Sequence, residues 1–401
     1  MIKFGWQPVV LTVHEDYYEE ENDWNLCKLL PNDLRIEKVR AFRLTRPRII
    51  GDISLRAFFQ LLKRSKQLIK NEHFDMVYIS IPSFYTALIG RMIFNKTAVR
   101  YGIDYIDPWV HDFPGSNKIF SRHWFSKQLS KILEPIAVKK ASMITGVSEA
   151  YYLPVLERNP HLKANAISGH MPYGAEASDY DAIRTLKQSA FLFQENKKKK
   201  FVYAGAMLPK AYQPLEMVFQ SIRENKDAYG EIEFYFIGTG YQANNPDSYN
   251  IKPLAEKYGI WSSVVFEHPK RISYFDVLVH LIASDGIFIL GSTEAHYTPS
   301  KIFQAALSKK SIFAILHEAS TAVDVIKKAN LGKMILFNGQ SEVNKIKMEF
   351  HQNFIPWVNN LNNFNPDHIA MEVFEQFSAY ESTRKLAELM DKVIDKNDIQ
   401  L

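Results

Sequence analysis

The feature that most constrains the fold of this 401-residue chain is the alternation of short apolar runs with helical patterns in both halves. Apolar runs separated by helical segments, such as 54–70, indicate parallel strands that are covered on both faces of a sheet. The runs predicted as strands are 8–13, 76–81, 99–103 and 143–147 in the first half, and 201–203, 233–237, 264–266, 286–290 and 311–316 in the second. The sequence therefore predicts an α/β protein with two doubly wound, Rossmann-like domains.

Length and local composition predict where these domains meet. A chain of 401 residues is roughly twice a typical domain. The segment 173–200 contains a glycine, many charges and no long apolar strand, so we predict that it is a linker. The predicted domains are then an N-terminal one, 1–172, and a C-terminal one, 201–365.

Composition also limits the compartment and the partners. No run approaches the roughly 20 apolar residues of a membrane span, and the N-terminus shows no export signal, so we expect a cytoplasmic protein. Cys27 is the only cysteine, which excludes an intrachain disulfide and a cysteine-cluster metal site. The net charge of +5 is modest, and it suits anionic partners without requiring nucleic acid.

One segment of the first half combines cations with bulky apolar residues. They alternate along the chain: Lys118, Ile119, Phe120, Arg122, Trp124, Phe125, Lys127 and Lys131. This pattern is found in helices that lie on a bilayer surface, and it is more typical of a solvated helix with one packed face. Peripheral membrane contact and ordinary packing both stay open at this point.

The residues that follow each apolar run are candidates for a binding site, because open parallel sheets bind ligands beyond the carboxyl ends of their strands. Gly205 and Ala206 follow one strand, with Lys210 shortly beyond. Small residues let backbone N–H groups approach a phosphate, and the lysine adds positive charge. A plain tight turn would have the same sequence, so this motif alone does not decide.

The stretch FYFIGTGYQA, 234–243, contains the glycines of a dinucleotide-binding fingerprint. In that fingerprint the glycines open a helix in the first βα unit of the domain. Here 241–247 is turn-forming and contains a proline, and the unit is the second of its domain. A dehydrogenase is therefore disfavoured, and we interpret Gly238 and Gly240 as a turn close to a ligand.

The stretch LGSTEAHYTPSK is the most informative about a binding site. Thr298 is suited to cap a helix that Pro299 begins. Ser300 and Lys301 would lie in the first turn of that helix, where backbone donors and the lysine form an anion site suited to a pyrophosphate. Glu294, just upstream, can accept hydrogen bonds from sugar hydroxyls. The alternative is a loop-capping Glu294 and a solvated Lys301.

Two sets of acidic residues are candidates for acid–base or metal chemistry. Asp104 and Asp107 follow a predicted strand, beside Trp109, although an aspartate before a proline is also an ordinary turn residue. The acidic triplet 179–181 has the form of a metal-binding motif, but it follows no buried strand. We therefore predict no metal site.

Five motifs, in this order and at these separations, carry a family resemblance: DYIDPWV, MPYG, YAGAMLPK, FIGTG and YTPSKIFQA. Over nearly the whole chain they resemble bacterial glycosyltransferases of the GT-B fold, close to the large retaining family four. The resemblance implies two domains facing across a cleft and a C-terminal helical region, 366–401, packed back towards the N-terminal domain. It also implies metal-independent sugar transfer from a nucleotide-sugar on the C-terminal domain to an acceptor on the N-terminal one, with no further cofactor.

Carried over by position, the resemblance implies that Gly205, Lys210 and Lys301 face the donor phosphates and that Glu294 faces the donor sugar. Together with the residues singled out above, this gives three predicted sets. The catalytic set is Glu294, Lys301 and Lys210; the donor-binding set is Gly205, Ala206, Gly238, Gly240, Thr298, Ser300 and Gln304; the acceptor-side set is Asp104, Asp107 and Trp109. The family commonly has two glutamates separated by seven residues, but the eighth position after Glu294 is Ile302. Gln304 is the best substitute for the second glutamate.

A second departure lies at the N-terminus. Relatives usually place a strand, a glycine-rich loop and a helix before the stretch that corresponds to GWQPVVLT, on which this chain almost begins. We therefore expect the N-terminal domain to lack its first βα unit, leaving a shortened edge or an apolar groove near 8–13.

The resemblance therefore implies a glycosyltransferase of hexosyltransferase type that acts, with retention, on a glycan or lipid-linked acceptor in cell-surface polysaccharide biosynthesis. A nucleotide-sugar epimerase on the same fold and a non-catalytic donor-binding or scaffold protein are the alternatives.

Overall fold

A computed structural model describes residues 1–19, 21–45, 50–81, 84–111, 118–172, 174–185, 188–242, 244–294 and 301–398. The chain divides into two compact units. The first unit comprises Met1–Glu19, Pro31–Tyr173 and Tyr380–Leu401, and the second comprises Glu20–Leu30 and Gly174–Ala379. Within the described ranges, no helix combines the length and the hydrophobicity that a bilayer crossing requires.

The first unit contains two parallel sheets. Its elements are β1 (Val9–Val13), β2 (Arg35–Val39), α1 (Ile53–Asn71), β3 (Met76–Ile81), α2 (Ala87–Thr97), β4 (Arg100–Tyr105), α3 (Arg122–Val138), β5 (Met143–Gly146), α4 (Glu149–Arg158), α5 (Leu162–Asn165), β6 (Ile167–His170) and, from the end of the chain, α14 (Ala379–Asp398). β1 pairs with β2, with Val9 opposite Arg35, and the second sheet has the order β3-β4-β5-β6. A groove of about 530 Å³ lies between β1 and β3. We call it the strand groove, and it occurs where the sequence predicts an apolar groove.

The last helix, α14, packs within the first unit. The indole Nε1 of Trp6 donates a hydrogen bond to Asp391 over 2.8 Å, and Met390 and Val393 bury themselves beside Met143 of β5. The part of the predicted C-terminal region that precedes this helix, 366–378, belongs to the second unit.

The second unit is built on one parallel sheet of six strands. Its elements are α6 (Ala177–Thr185), β7 (Lys199–Ala204), α7 (Tyr212–Glu224), β8 (Ile232–Ile237), α8 (Lys252–Lys257), β9 (Val265–His268), α9 (Tyr274–Ala283), β10 (Gly286–Leu290), α10 (Lys301–Leu307), β11 (Ile312–His317), α11 (Thr321–Lys328), β12 (Gly332–Phe337), α12 (Val343–Asn359) and α13 (Glu372–Glu375). The strand order is β12-β11-β10-β7-β8-β9.

Both faces of this sheet are covered. Along β8, Phe234 and Phe236 pack into one apolar cluster, whereas Tyr235 and Ile237 pack into the other. This alternation follows from the period of two of an extended strand.

The segment 173–200, which the sequence predicts as a linker, contributes to the second unit from Gly174 onwards. Tyr180 and Ile183 of α6 are buried in one of the two clusters of that unit. Their spacing of three residues places both on one face of a helix, and that face packs into the second unit.

Candidate functional site

The candidate site lies at the carboxyl ends of two neighbouring strands of the second sheet. β7 is the first strand of this sheet, with β8 on one side and β10 on the other. The order of connection therefore reverses between β7 and β10, and open sheets bind ligands in the crevice at such a switch point. The loop after β7 carries Gly205 to Lys210, and the loop after β10 carries Gly291 to Glu294.

A salt bridge connects these two loops. Lys210 Nζ lies 2.8 Å from Glu294 Oε1, and the backbone N–H of Thr293 donates to the carbonyl of Lys210 over 3.2 Å. The lysine side chain is mostly exposed and the glutamate side chain is half-buried. The structure thus brings two of the three predicted catalytic residues together, where they present a cation and a carboxylate side by side.

Lys301, the third predicted catalytic residue, reaches the end of β7 from α10. Its ammonium donates hydrogen bonds to the hydroxyl of Tyr203, at 2.5 Å, and to the carbonyl of Ala206, at 3.3 Å. The same nitrogen lies 3.7 Å from the centroid of the Tyr203 ring, within cation–π range. Burial lowers the pKa of Lys301 to about 7. Among the described residues, no carboxylate forms an ion pair with it.

Gly205 leaves room for this lysine. Its φ is +112°, in the region that favours glycine, and a Cβ added there would lie 2.8 Å from Cε of Lys301. Tyr203 is the residue that sequence reasoning missed here. The available signal was a tyrosine two positions before the glycine, in a strand that is otherwise largely apolar at its centre.

The turn after β8 is fixed by a half-buried carboxylate, Glu267. Gly238 has a φ of +70°, and a Cβ on Gly240 would lie 2.7 Å from the carbonyl of Pro269. Glu267 accepts hydrogen bonds from the Thr239 hydroxyl, at 2.6 Å, and from the backbone N–H of Ile251, at 2.9 Å. The next helix, α8, begins only at Lys252, so these glycines do not open a helix as a dinucleotide fingerprint requires. Sequence reasoning missed Glu267.

The remaining donor-binding candidates divide into two groups. Thr298 and Ser300 lie outside the described residues. Gln304 is described in α10, where its carbonyl accepts from the Tyr180 hydroxyl over 2.5 Å and its side chain hydrogen-bonds the hydroxyl of Tyr274. Tyr274 in turn donates to Asp179 over 2.8 Å. The described contacts of Gln304 therefore link α10 to the predicted acidic triplet rather than to Lys210 or Lys301.

In the first unit, the structure buries two of the three acceptor-side candidates. Asp104 accepts a hydrogen bond from the Thr145 hydroxyl over 2.8 Å, and burial raises the pKa of Asp104 above its ordinary value. Trp109 belongs to the core and stacks on Phe84 with 5.8 Å between ring centroids. Asp107 is exposed. The positions after a strand predict where the chain turns, but not whether a side chain there faces the core.

Acidic, histidine and cysteine side chains do not gather into a metal site anywhere in the described parts of the chain. Asp181, from the acidic triplet, pairs instead with Arg184 at 3.1 Å.

No protein-family description and no curated protein sequence matches this chain. Solved structures do match it over most of its length. A glycosyltransferase from Rickettsia africae is 14% identical, with a TM-score of 0.56, covering 90% of this chain and 85% of its own. HepE of Anabaena, solved in complex with UDP, is 12% identical, with a TM-score of 0.56, covering 96% of this chain and 100% of its own.

A third match is the sucrose-phosphate synthase of Thermosynechococcus elongatus, at 12% identity and a TM-score of 0.58, covering 98% of this chain and 100% of its own. At these identities the likeness is one of fold. The chain has the GT-B fold of these glycosyltransferases, which confirms the fold class predicted from the sequence.

Proposed function

We propose that this protein is a glycosyltransferase that transfers a sugar from a nucleotide-sugar donor. The observation that carries the proposal is the meeting of Lys210, Glu294 and Lys301 at the switch point of the second sheet. The GT-B fold supports it, because HepE, which shares this fold, was solved with UDP. UDP is accordingly the first nucleotide to test.

Lys301 is the proposed ligand of the donor diphosphate. Its ammonium is held at Tyr203 and Ala206, beside the room that Gly205 leaves, and the described residues provide it with no carboxylate partner. A diphosphate bound there would supply the missing countercharge and would raise the pKa of the lysine towards its ordinary value. Glu294, which pairs with Lys210, is the proposed acceptor of hydrogen bonds from the hydroxyls of the donor sugar.

The proposed reaction is transfer of a hexose with retention, in which charge grows on the leaving diphosphate as the bond to the sugar breaks. Cations that stabilise that charge more strongly in the transition state than in the ground state accelerate the reaction. We propose that two lysines serve this purpose without a divalent metal. The proposed acceptor is a glycan or a lipid-linked sugar of cell-surface polysaccharide biosynthesis.

The decisive experiment measures thermal stabilisation by UDP, UDP-glucose and other nucleotide-sugars, followed by sugar transfer to candidate acceptors. A ligand that binds only the folded state stabilises it by about 2.7 kcal/mol at 100 times its dissociation constant. We expect stabilisation of the wild type and of Lys328→Ala, which alters an exposed lysine of α11, and its loss in Lys301→Ala. Absence of stabilisation by every nucleotide would refute the proposal, and a change of donor configuration without an acceptor would identify an epimerase.

We further propose that this protein is cytoplasmic and that it contacts the inner face of the membrane through α3. One face of this helix packs in the core through Ala137 and Val138. Another face leaves four apolar side chains exposed, namely Phe125, Leu129, Ile132 and Ile136. Their spacing of four, three and four residues places them on one stripe, and Lys118 and Lys131 of the same segment are also exposed.

Sedimentation with lipid vesicles tests this contact. We expect binding to anionic vesicles and weaker binding to neutral ones, because the cations of the segment attract anionic lipid. Ile132→Asp should abolish binding, whereas Met348→Asp should not; Ile132 is 61% exposed and Met348, in the second unit, is 67% exposed. If both variants lose vesicle binding equally, α3 is not the part of the protein that contacts the membrane.

A further inference from the structure

The first unit contains two parallel sheets whose open edges border the strand groove. β1 pairs with β2, and β3 pairs with β4. Within the described parts of the chain, no strand pairs with the other edge of β1 or of β3. Residues 9–11 of β1 and 76–80 of β3 both line the groove. Two rows of backbone hydrogen-bonding groups therefore border one cavity.

The sequences of β1 and β3 differ from those of the other strands at sheet edges. β2 is RIEKV, β6 is ISGH, β9 is VFEH and β12 is GKMILF, all with charged or titratable residues. β1 is VVLTV and β3 is MVYISI, without a charged residue. Open apolar edges promote unwanted pairing, so natural proteins protect them with charges, and uncharged apolar runs are typical of strands buried on both faces of a parallel sheet. β1 and β3 thus lack the charges that the other edge strands use against unwanted pairing.

Helices cover the groove on both faces. Leu61 of α1 and Met390 of α14 line it. Val77 of β3 packs with the cluster that contains α1, whereas its neighbours Met76 and Tyr78 pack with the cluster that contains α14. Successive residues of a strand point to opposite faces, so α1 and α14 lie on opposite sides of the sheet. A strand in the groove would be buried on both faces.

The charge of the side chains that line the strand groove limits what can bind in it. Of the described side chains that line the groove, none is charged. A charged segment would lose its hydration there without gaining a partner, so the matching occupant is uncharged. β1 has five residues and β3 has six, which sets the length of strand that both can pair.

We infer that the strand groove binds an extended, uncharged peptide strand of five or six residues, rich in valine and isoleucine. The strand hydrogen-bonds to the open edges of β1 and β3 and joins the two sheets into one. Main-chain hydrogen bonds on both sides provide affinity, and the apolar side chains of α1 and α14 select β-branched residues.

Hydrogen exchange on the full chain tests this inference. The probe is a synthetic peptide, Val-Ile-Val-Val-Ile-Val, flanked by two lysines at each end for solubility. At saturation we expect the amides of β1 and β3 that face the groove to exchange roughly tenfold more slowly. The control peptide has prolines at the third and fourth apolar positions, which remove two donors and should abolish the effect.

A matched pair of variants locates the binding. Val10 lines the groove and is 38% exposed, while Ile36, its partner in the register of β1 and β2, is 37% exposed and does not line it. Val10→Lys should weaken peptide binding at least about tenfold, since it places a charge at the groove, and Ile36→Lys should leave it unchanged. Far-UV circular dichroism checks that both variants fold.

Three results would overturn the inference. One is equal protection by the valine-isoleucine and proline peptides, and another is protection of β1 or β3 alone. The third is a peptide-free dimer, detected by sedimentation, in which both strands are already protected, because a second copy would then occupy the groove. These readouts do not depend on the proposed glycosyltransferase activity.

Discussion

The pKa of Lys301 makes nucleotide binding dependent on pH in a defined direction. Burial lowers this pKa to about 7, so in the free protein about half of the lysines are neutral at pH 7. A diphosphate requires the charged form, and its binding raises the pKa again. Raising the pH through 7 therefore deprotonates Lys301 in the free protein, and the affinity for UDP falls above pH 7.

The size of the effect follows from the titration. If the bound lysine returns to its ordinary pKa of about 10.4, affinity falls about tenfold, or about 1.4 kcal/mol, for each unit of pH well above 7. Between pH 7 and pH 8.5 the fall is about 16-fold for a group that titrates at about 7. The terminal phosphate of UDP has a pKa of about 6, and its ionisation increases affinity, in the opposite direction.

Isothermal titration calorimetry with UDP at several pH values measures this fall. Lys301→Arg is the informative variant, because arginine stays charged throughout and should make the affinity flat between pH 7 and 8.5. Lys328→Ala should keep the slope of the wild type. A wild-type affinity that is constant over this range, with a folded protein at each pH, would refute the argument that Lys301 loses its charge near pH 7.

Three other substitutions test the same site. Tyr203→Phe keeps the ring but removes a hydrogen-bond acceptor of the ammonium, so the midpoint of the pH dependence should move to lower pH; an unchanged midpoint in the calorimetric series would show that the hydroxyl does not stabilise the cation. Glu294→Gln should keep the affinity for UDP within about threefold but reduce sugar transfer, because it alters the acceptor for sugar hydroxyls and not the phosphate ligands; a large loss of UDP affinity would contradict this. Lys301→Met should raise the melting temperature of the ligand-free protein, and more at pH 6 than at pH 9. The pKa of Lys301 is lower in the folded than in the unfolded state, so the wild type becomes more stable as pH rises from 7 to about 10.4. Equal increases in melting temperature at both pH values would contradict this direction of the pH dependence.

The sequence predicts interior strands better than edge strands. The runs 233–237 and 286–290 match the interior strands β8 and β10 to within one residue. The three strands that the sequence did not predict, β2, β6 and β12, all lie at the edge of a sheet. An edge strand is only partly buried, so polar residues are tolerated or favoured there and the continuous apolar run is lost.

The positions of the candidate site were also predictable, because parallel strands bring their carboxyl ends to one side of a sheet. The side-chain contacts within the site were not predictable from the sequence. Lys210 and Glu294 are 84 residues apart in the sequence, and Tyr203 and Lys301 are 98 apart. Only the placement of β10 beside β7 brings each pair together. Trp109 shows that position alone does not identify a site residue, because the side chain of a residue that follows a strand can also pack into the core.

The two lysines at the switch point should contribute unequally to diphosphate binding. Lys210 is mostly exposed and already neutralised by Glu294, so a diphosphate gains little from it; exposed pairs contribute about 0–1 kcal/mol, or up to about fivefold in affinity. Lys301 is more buried and has no described carboxylate partner, so a charge-assisted hydrogen bond from it contributes about 1.5–3 kcal/mol, or roughly 10- to 150-fold. Calorimetry with UDP on Lys210→Ala and Lys301→Ala compares them directly. If Lys210→Ala loses as much affinity as Lys301→Ala, burial does not determine which lysine binds the diphosphate.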